Sequence, residues 1–540
     1  MKIPFRTTLA SALSLTALAL TACGSSSSAG GTSADQLVIV TASQPASFAA
    51  DYASTGYEAA EYFVNTSGTL IRNPYVDGTE GMDRHQDVYD FEPELAESYE
   101  VSDDGLTYIF NLSTTARSTA GNPLTAEDVV YSMKRKFETP TSVVSFVSAP
   151  IFTSPDQVTA VDEHTVTFTV DKPGYGFTLL SLLSHFAVGA IYDSTVLKEH
   201  ESAEDPYAVE WSSQNFNWGF GAYKVDDFTS GQQMVYSANP DFALGEPEVK
   251  RIVQRVIAEP GQRANLLTVG DADIATQLLP SDQKTMVENG TAQVFTVPTN
   301  AFMYLPLTTT IAPFDDEAVR KAFALAVPYD QIAEEVYEGR AEPAAGVLDP
   351  TAPGYDATGI VQNTYDPAQA KRILADAGIT EPVEFTLTVN NTYPDLQAAA
   401  VQIQSAAAEA GFEVTIDPVS NAAFQEGLSS KSFQASMGRD YSIVQSPPYV
   451  MTLFYAAGSP INWPNWEVPA FYDAVAEGND AADPLSDEAG VLWNKAERLI
   501  EEQVPTIWAL KVQPLNAFAK DVEGYTFRTD NVIDYSELSK

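Results

Sequence analysis

From residue 36 onward the chain is built of short apolar runs separated by turn residues. Leu37-Val38-Ile39-Val40 is an unbroken apolar run and predicts a strand. Residues 99–112 carry a hairpin pattern, with Ser102-Asp103-Asp104-Gly105 as the turn and residues 106–110 as the returning strand. Gly121-Asn122-Pro123 predicts a loop and Thr125 a helix cap. Asp128 falls in the first turn, where negative charge is favoured, and Val129, Val130 and Met133 give the helix an apolar side. Strands are predicted over 163–170, 224–225, 233–236 and 251–257, a helix near 179–185 and an amphipathic segment over 261–269. Residues 217–223 form a compact loop of glycine and aromatic residues, and 270–274 a helix end, a turn and a short strand.

The second half alternates between the two periods. Pro298 and Asn300 interrupt the pattern and predict a boundary near 295–300. A single helix is predicted over 315–330, with Val319, Ala322, Phe323 and Ala326 on one face. Another starts at Tyr365-Asp366-Pro367, where proline suits the first turn, and stops at Gly378. Strand 385–389, helix 396–409 and strand 412–416 follow. This alternation predicts an α/β second half.

The first residues read as an address rather than as part of the fold. Lys2 and Arg6 precede an apolar run over 9–20, which is shorter than the ~20 residues of a membrane-spanning helix. Leu20-Thr21-Ala22-Cys23 resembles a bacterial lipobox, which implies a signal peptide over 1–22 and lipidation of Cys23. Residues 23–35, rich in Ser and Gly, then serve as a flexible tether. The expected location is the extracytoplasmic face of the cell membrane, reached only through acyl chains.

Composition narrows the chemistry. The 540 residues suggest two to four domains at roughly 100–200 residues each. A net charge of -44 repels nucleic acid and anionic lipid head groups. The single cysteine excludes an internal disulfide, and His85, His164, His185 and His200 have no close metal-ligand spacing. No GxSxG elbow, phosphate loop or HExxH pair is present, so neither metal nor cofactor is expected and the chain is not read as an enzyme. A hydrolase built on paired carboxylates is the minor alternative. The loop Asn462-Trp463-Pro464-Asn465-Trp466 offers aromatic area to a groove or to domain packing, whereas Trp493 and Trp508 fall in patterned core segments.

Several motifs, in order, resemble the bacterial extracellular solute-binding proteins of family 5, the peptide and nickel branch of the ABC importer binding proteins. They include Phe91-Glu92-Pro93-Glu94-Leu95-Ala96-Glu97-Ser98, Asp103-Asp104-Gly105-Leu106-Thr107-Tyr108-Ile109-Phe110 and Leu124-Thr125-Ala126-Glu127-Asp128-Val129-Val130-Tyr131-Ser132. Gly219-Phe220-Gly221-Ala222-Tyr223, Gly270-Asp271-Ala272-Asp273-Ile274, Pro313-Phe314-Asp315 with the helix after it, and Tyr365-Asp366-Pro367-Ala368 complete the set. The resemblance implies an enlarged α/β periplasmic-binding-protein-like fold of type II, with two lobes, an extra domain and a hinge. Its first domain would hold 36–77, 191–295 and 512–540, its second 78–190, and its third 296–511.

The resemblance also implies a monomer that captures di- or oligopeptides between its lobes and delivers them to a membrane permease and its ATPase. An oligosaccharide, an opine-like solute or chelated nickel are alternatives, and a surface signalling or adhesion receptor is a lesser one. In peptide-binding members an aspartate after a third-domain strand takes the ligand's α-amino group. The matching stretch here is Ala435-Ser436-Met437-Gly438-Arg439-Asp440-Tyr441, which makes Asp440 the expected anchor. The family's tryptophan is missing, with Met437 or Gly438 near its place, and Arg439 is a neighbour that would neutralise Asp440 if the two paired. Gly219, Phe220, Gly221, Gln44, Asn300, Tyr304 and Trp463 are the other expected ligand-lining positions.

Overall fold

A computed structural model describes residues 35–540 apart from 50–56, 80–81, 140–141, 143, 350–351, 460 and 482. The predicted signal, Cys23 and most of the tether lie outside the described residues. Among the described residues no helix is long and apolar enough to cross a membrane.

Two six-stranded sheets organise the molecule. In the first, the strand Gln36–Thr41 pairs in parallel with Arg251–Val256 on one side and Ile274–Ala275 on the other. Five of its six residues are buried, as an unbroken apolar run requires in a sheet covered on both faces. The hairpin Tyr223–Thr229 and Gln233–Ala238 extends one edge, and Ala517–Phe518, returning from the far end of the chain, closes the other. The second sheet runs Ala341–Pro343, Thr506–Val512, Ala301–Pro306, Ala435–Tyr441, Val383–Asn390 and Phe412–Val419. Its parallel pairs are joined by helices, Pro394–Glu409 between Val383–Asn390 and Phe412–Val419 being the longest crossover.

A four-stranded antiparallel sheet, Ala96–Val101, Thr107–Leu112, Thr165–Thr169 and Val158–Asp162, is inserted ahead of the first lobe's hairpin. Its alternating inward residues pack on the helices Ala126–Glu138 and Gly176–Ser184. Thr125 is the cap residue of helix Ala126–Glu138, as expected, in a reciprocal capping box with Asp128. The Asp128 carboxylate accepts from the Thr125 N–H at 2.8 Å and its hydroxyl at 2.9 Å, and also from the Ser194 N–H at 2.8 Å. The cap thereby ties the insertion to the first lobe.

The single helix predicted over 315–330 is two. Glu317–Ala324 and Tyr329–Glu335 are separated at Pro328, which removes a backbone donor and crowds the preceding turn. The apolar face was read correctly, since Val319, Ala322, Phe323 and Ala326 are all buried in one core.

The chain passes between the two large sheets twice, over 294–300 and 513–516, and these segments are laced together. The Gln513 side chain donates to the Val297 carbonyl and accepts from its N–H, both at 3.0 Å, and the Thr299 hydroxyl donates to the Val512 carbonyl at 2.8 Å. The lobes also touch at ion pairs, Lys284 with Glu338 at 2.6 Å and Lys172 of the insertion with Asp480.

Candidate functional site

The strand Ala435–Tyr441 sets the site by alternation, because successive side chains on a strand point to opposite faces. Ala435 and Met437 enter the core beneath helix Pro394–Glu409. Arg439 follows them. Its Nη1 donates to Asp395 Oδ2 at 2.7 Å, the Tyr337 hydroxyl donates to the same oxygen at 2.8 Å, and the guanidinium lies 5.3 Å from the Tyr393 ring centre. Arg439 therefore does not neutralise Asp440, since the two side chains leave the strand on opposite sides.

Asp440 has no ion-pair partner among the described residues. The Tyr441 N–H donates to its Oδ1 at 2.8 Å. Burial pushes its carboxyl up from 3.8 to about 6, and that single hydrogen bond opposes the rise only in part. Three tyrosines feel its charge, Tyr304, Tyr393 and Tyr441. Burial raises Tyr393, and the charges acting on it include Arg439, Asp440 and Glu58. Glu58 stands on the helix Tyr57–Thr66 of the first lobe, so Tyr393 is near the first lobe.

An aromatic floor adjoins Asp440. In the sheet register Tyr304 opposes Gly438 and Phe302 opposes Asp440. A Cβ at Gly438 would lie 2.8 Å from the Tyr304 ring, so glycine here is what lets the ring lie flat on the strand. Tyr304 stacks on Trp463 at 5.0 Å and 17°, and on Trp508 at 5.9 Å and 30°. Trp466, by contrast, is turned into the core, where its indole N–H donates to Gln503 at 2.9 Å. Beyond Phe302 opens a cavity bounded by Asn300, Ser442, Ser446 and Trp508 of the second lobe and by Tyr89 of the insertion.

The structure thus brings together Asp440, Gly438, Tyr304 and Trp463, with Asn300 nearby. Asn300 Nδ2 donates to the carbonyls of Thr529 at 2.8 Å and Ser442 at 3.2 Å, joining the crossing segment, the second lobe and the carboxy-terminal tail. Other expected positions lie elsewhere. Gly219 and Gly221 press on the backbone of Thr66 and Ser67, where a Cβ would come within 2.4 and 2.3 Å, and Phe220 fills the insertion's core. Gln44 has its amide engaged by the hairpin turn, accepting from the Gly231 N–H at 2.7 Å and donating to the Thr229 carbonyl at 3.3 Å. Met437 and Arg439 face away from Asp440. The pattern reading missed Tyr393, Phe302, Tyr89 and Ser446. Of these only Tyr393, directly ahead of the helix-opening Pro394, stood beside a recognisable signal.

Among the described residues no group of three or more His, Cys, Asp or Glu is placed to hold a metal ion. The arrangement offers a half-buried negative charge beside aromatic faces, with Tyr89 of the insertion across the adjoining cavity.

Residues 90–461 match the sequence profile described as bacterial extracellular solute-binding proteins, family 5 Middle. Among curated proteins, the probable D,D-dipeptide-binding periplasmic protein DdpA of Escherichia coli (strain K12) is 26% identical over 461 residues, covering 84% of this chain and 85% of that protein. Among solved structures, the periplasmic binding protein MoaA of A. tumefacien R10 in complex with mannopinic acid has a TM-score of 0.79 at 25% identity, covering 94% of this chain and 99% of that one. The DppA binding protein of Helicobacter pylori in complex with the peptide STSA also reaches 0.79, at 21% identity and covering 93% and 98%.

Proposed function

The chain belongs to the bacterial extracellular solute-binding proteins, family 5, and we propose that it is the receptor of an ABC importer that captures short peptides between its lobes. Residues 36–77, 191–295 and 512–540 form one jaw and 296–511 the other, with 78–190 inserted. The observation that carries this reading is Asp440, a half-buried carboxylate with no ion-pair partner among the described residues, beside an aromatic floor. An unpaired buried charge is costly, and a solute ammonium relieves that cost. Main-chain groups of an extended peptide pair with backbone, so most affinity is independent of sequence while the amine fixes register. A solute that touches both lobes favours the closed state, and closure is the signal the permease and ATPase complex reads.

The relative named for D,D-dipeptide binding and the peptide-bound neighbour support a peptide. The mannopinic acid complex supports an opine-like solute as the second reading. We also place the mature protein outside the cell membrane, anchored through Cys23. Labelling with a palmitate analogue that persists in a Cys23→Ser variant argues against the anchor. Calorimetric titration with short peptides and with mannopinic acid tests the ligand class. Peptide heats that vanish in Asp440→Asn support the reading. Heats from mannopinic acid alone favour the second reading, and no heat from either overturns both.

A further inference from the structure

We propose that the helix Pro447–Tyr455 is a built-in latch, one face of which packs on the inserted domain and holds the two lobes together before any solute is bound. This rests on the reading of 296–511 as one jaw and of the insertion 78–190 as riding on the other. It does not depend on the class of solute.

The helix is apolar on every side. Eight of its nine residues are buried, more than a helix with one face on its own domain requires. Its side chains divide between two cores. Val450, Met451, Phe454 and Tyr455 pack with Trp508 in the aromatic cluster of the third domain. Tyr449 and Leu453, four residues apart and so on one face, belong instead to the core of the insertion, as does Val444 just ahead of the helix. That core includes Leu179 and Leu183 of the helix Gly176–Ser184. Tyr449 and Val444 are 1% exposed and Leu453 9%. Parting the lobes returns these side chains to water, and apolar surface resists that in proportion to its area.

Two features make the contact a latch rather than a permanent core. Residues 191–295 lie between the insertion and the third domain, so no segment runs directly from one to the other and their contact parts without unfolding either. The closed contact also carries an opposing cost. The Tyr449 hydroxyl is buried with no hydrogen-bond partner among the described residues, and so is the hydroxyl of Ser446, three residues earlier at the helix cap. Water satisfies both when the lobes part. The flanking ion pair of Lys172 with Asp480 is exposed on both sides and adds little. The latch therefore shuts part of the solute-free population. Every solute that bridges the lobes gains the same factor in affinity, whatever its chemistry, and its own contacts complete closure.

The single cysteine makes the test practicable. In the mature protein with Cys23→Ser, spin labels on Asp103→Cys of the insertion and Glu477→Cys of the third domain, both exposed, report the distance between the jaws by pulsed electron resonance. Without solute, wild type is expected to show a short-distance population beside a longer one. Leu453→Ala is expected to lower the short fraction and to cost about tenfold in affinity for each solute that binds, with their order unchanged. Tyr449→Phe keeps the ring and removes the unpaired hydroxyl, so it is expected to raise the short fraction and to tighten every solute by about two- to tenfold. Salt at about 1 M is expected to leave the wild-type short fraction in place, because apolar contact is not screened. A solute-free wild type showing only the long distance overturns the latch. So does a Leu453→Ala variant that keeps its thermal transition and the wild-type short fraction. Loss of the short population in salt assigns closure to the ion pairs and overturns it as well. If Leu453→Ala does not fold, Tyr449→Phe decides, and a short fraction no higher than wild type counts against the latch. Failure of the peptide reading looks different, with no heat from any peptide while the solute-free short population still responds to Leu453→Ala. A distance that neither variant nor solute changes overturns the latch and the two-jaw reading together.

Discussion

Replacing Asp440 with asparagine is expected to make the solute-free protein more stable and the receptor non-functional. The argument is one of linkage. The Asp440 carboxyl rises from 3.8 to about 6 on folding, because it leaves water without meeting a cation. At about 1.4 kcal/mol for each pH unit, the rise amounts to about 3 kcal/mol against the folded state at neutral pH. Part of the Asp440 surface stays exposed, so this is an upper bound, and a gain of about 1–2 kcal/mol is the working expectation. The sign has a definite pH window. Below pH 3.8 the group is protonated folded and unfolded, and carries no penalty. Between 3.8 and 6 the unfolded chain ionises first and stability is lost, and above 6 the loss is constant. Asparagine keeps the acceptor for the Tyr441 N–H and removes the charge. Denaturation of wild type and Asp440→Asn at pH 7.5 and pH 4 therefore gives a more stable variant at the higher pH and near equality at the lower. A variant that is less stable at pH 7.5, or a difference independent of pH, refutes the reasoning.

The same variant is expected to lose about 2–5 kcal/mol of affinity for an amine-bearing solute, read by calorimetry at pH 7.5. In wild type, affinity falls as pH drops through about 6, where the free anchor protonates; a flat profile from 7.5 to 5 contradicts an ionised anchor. Arg439→Leu strips Asp395 of its ion-pair partner and is expected to cost about 3 kcal/mol of stability while leaving the order of solute preference intact. A reordered preference in that variant moves Arg439 into the site. Gly438→Ala drives a methyl against the Tyr304 ring, at an expected cost of about 1–3 kcal/mol, with a change in the Tyr304–Trp463 near-ultraviolet signal. Glu497, pushed up to about 8 by burial, loses stability from its ordinary 4.5 up to that pH. Glu497→Gln is thus expected to gain on wild type as the pH rises from 5 to 9, and a variant that loses ground over that range counts against a neutral buried acid.

Much of the fold is legible because its elements declare their own period. The apolar run at 37–40 is a doubly covered strand, and Pro367 and Gly378 bracket the helix Pro367–Asp376 closely. The break at Pro328 was also written in the chain, but a strong apolar face on both sides masked it. The site is less legible because it is made by register. Asp440 was reached through a family resemblance, whereas its freedom from Arg439 follows from strand alternation and from Asp395, which lies 44 residues earlier. The Tyr304–Gly438 contact requires knowing which strands are neighbours. Gly219 and Gly221 illustrate the converse. They were expected to line the ligand, but what they approach closely is the backbone of Thr66 and Ser67.

The central claim is that a solute amine closes the two lobes by meeting Asp440. It is tested most directly by titrating the mature protein with Leu-Ala and with N-acetyl-Leu-Ala while following the radius of gyration by solution scattering. The account predicts compaction and binding with the free amine and neither with the acetylated form. Equal binding and equal compaction by both would contradict it.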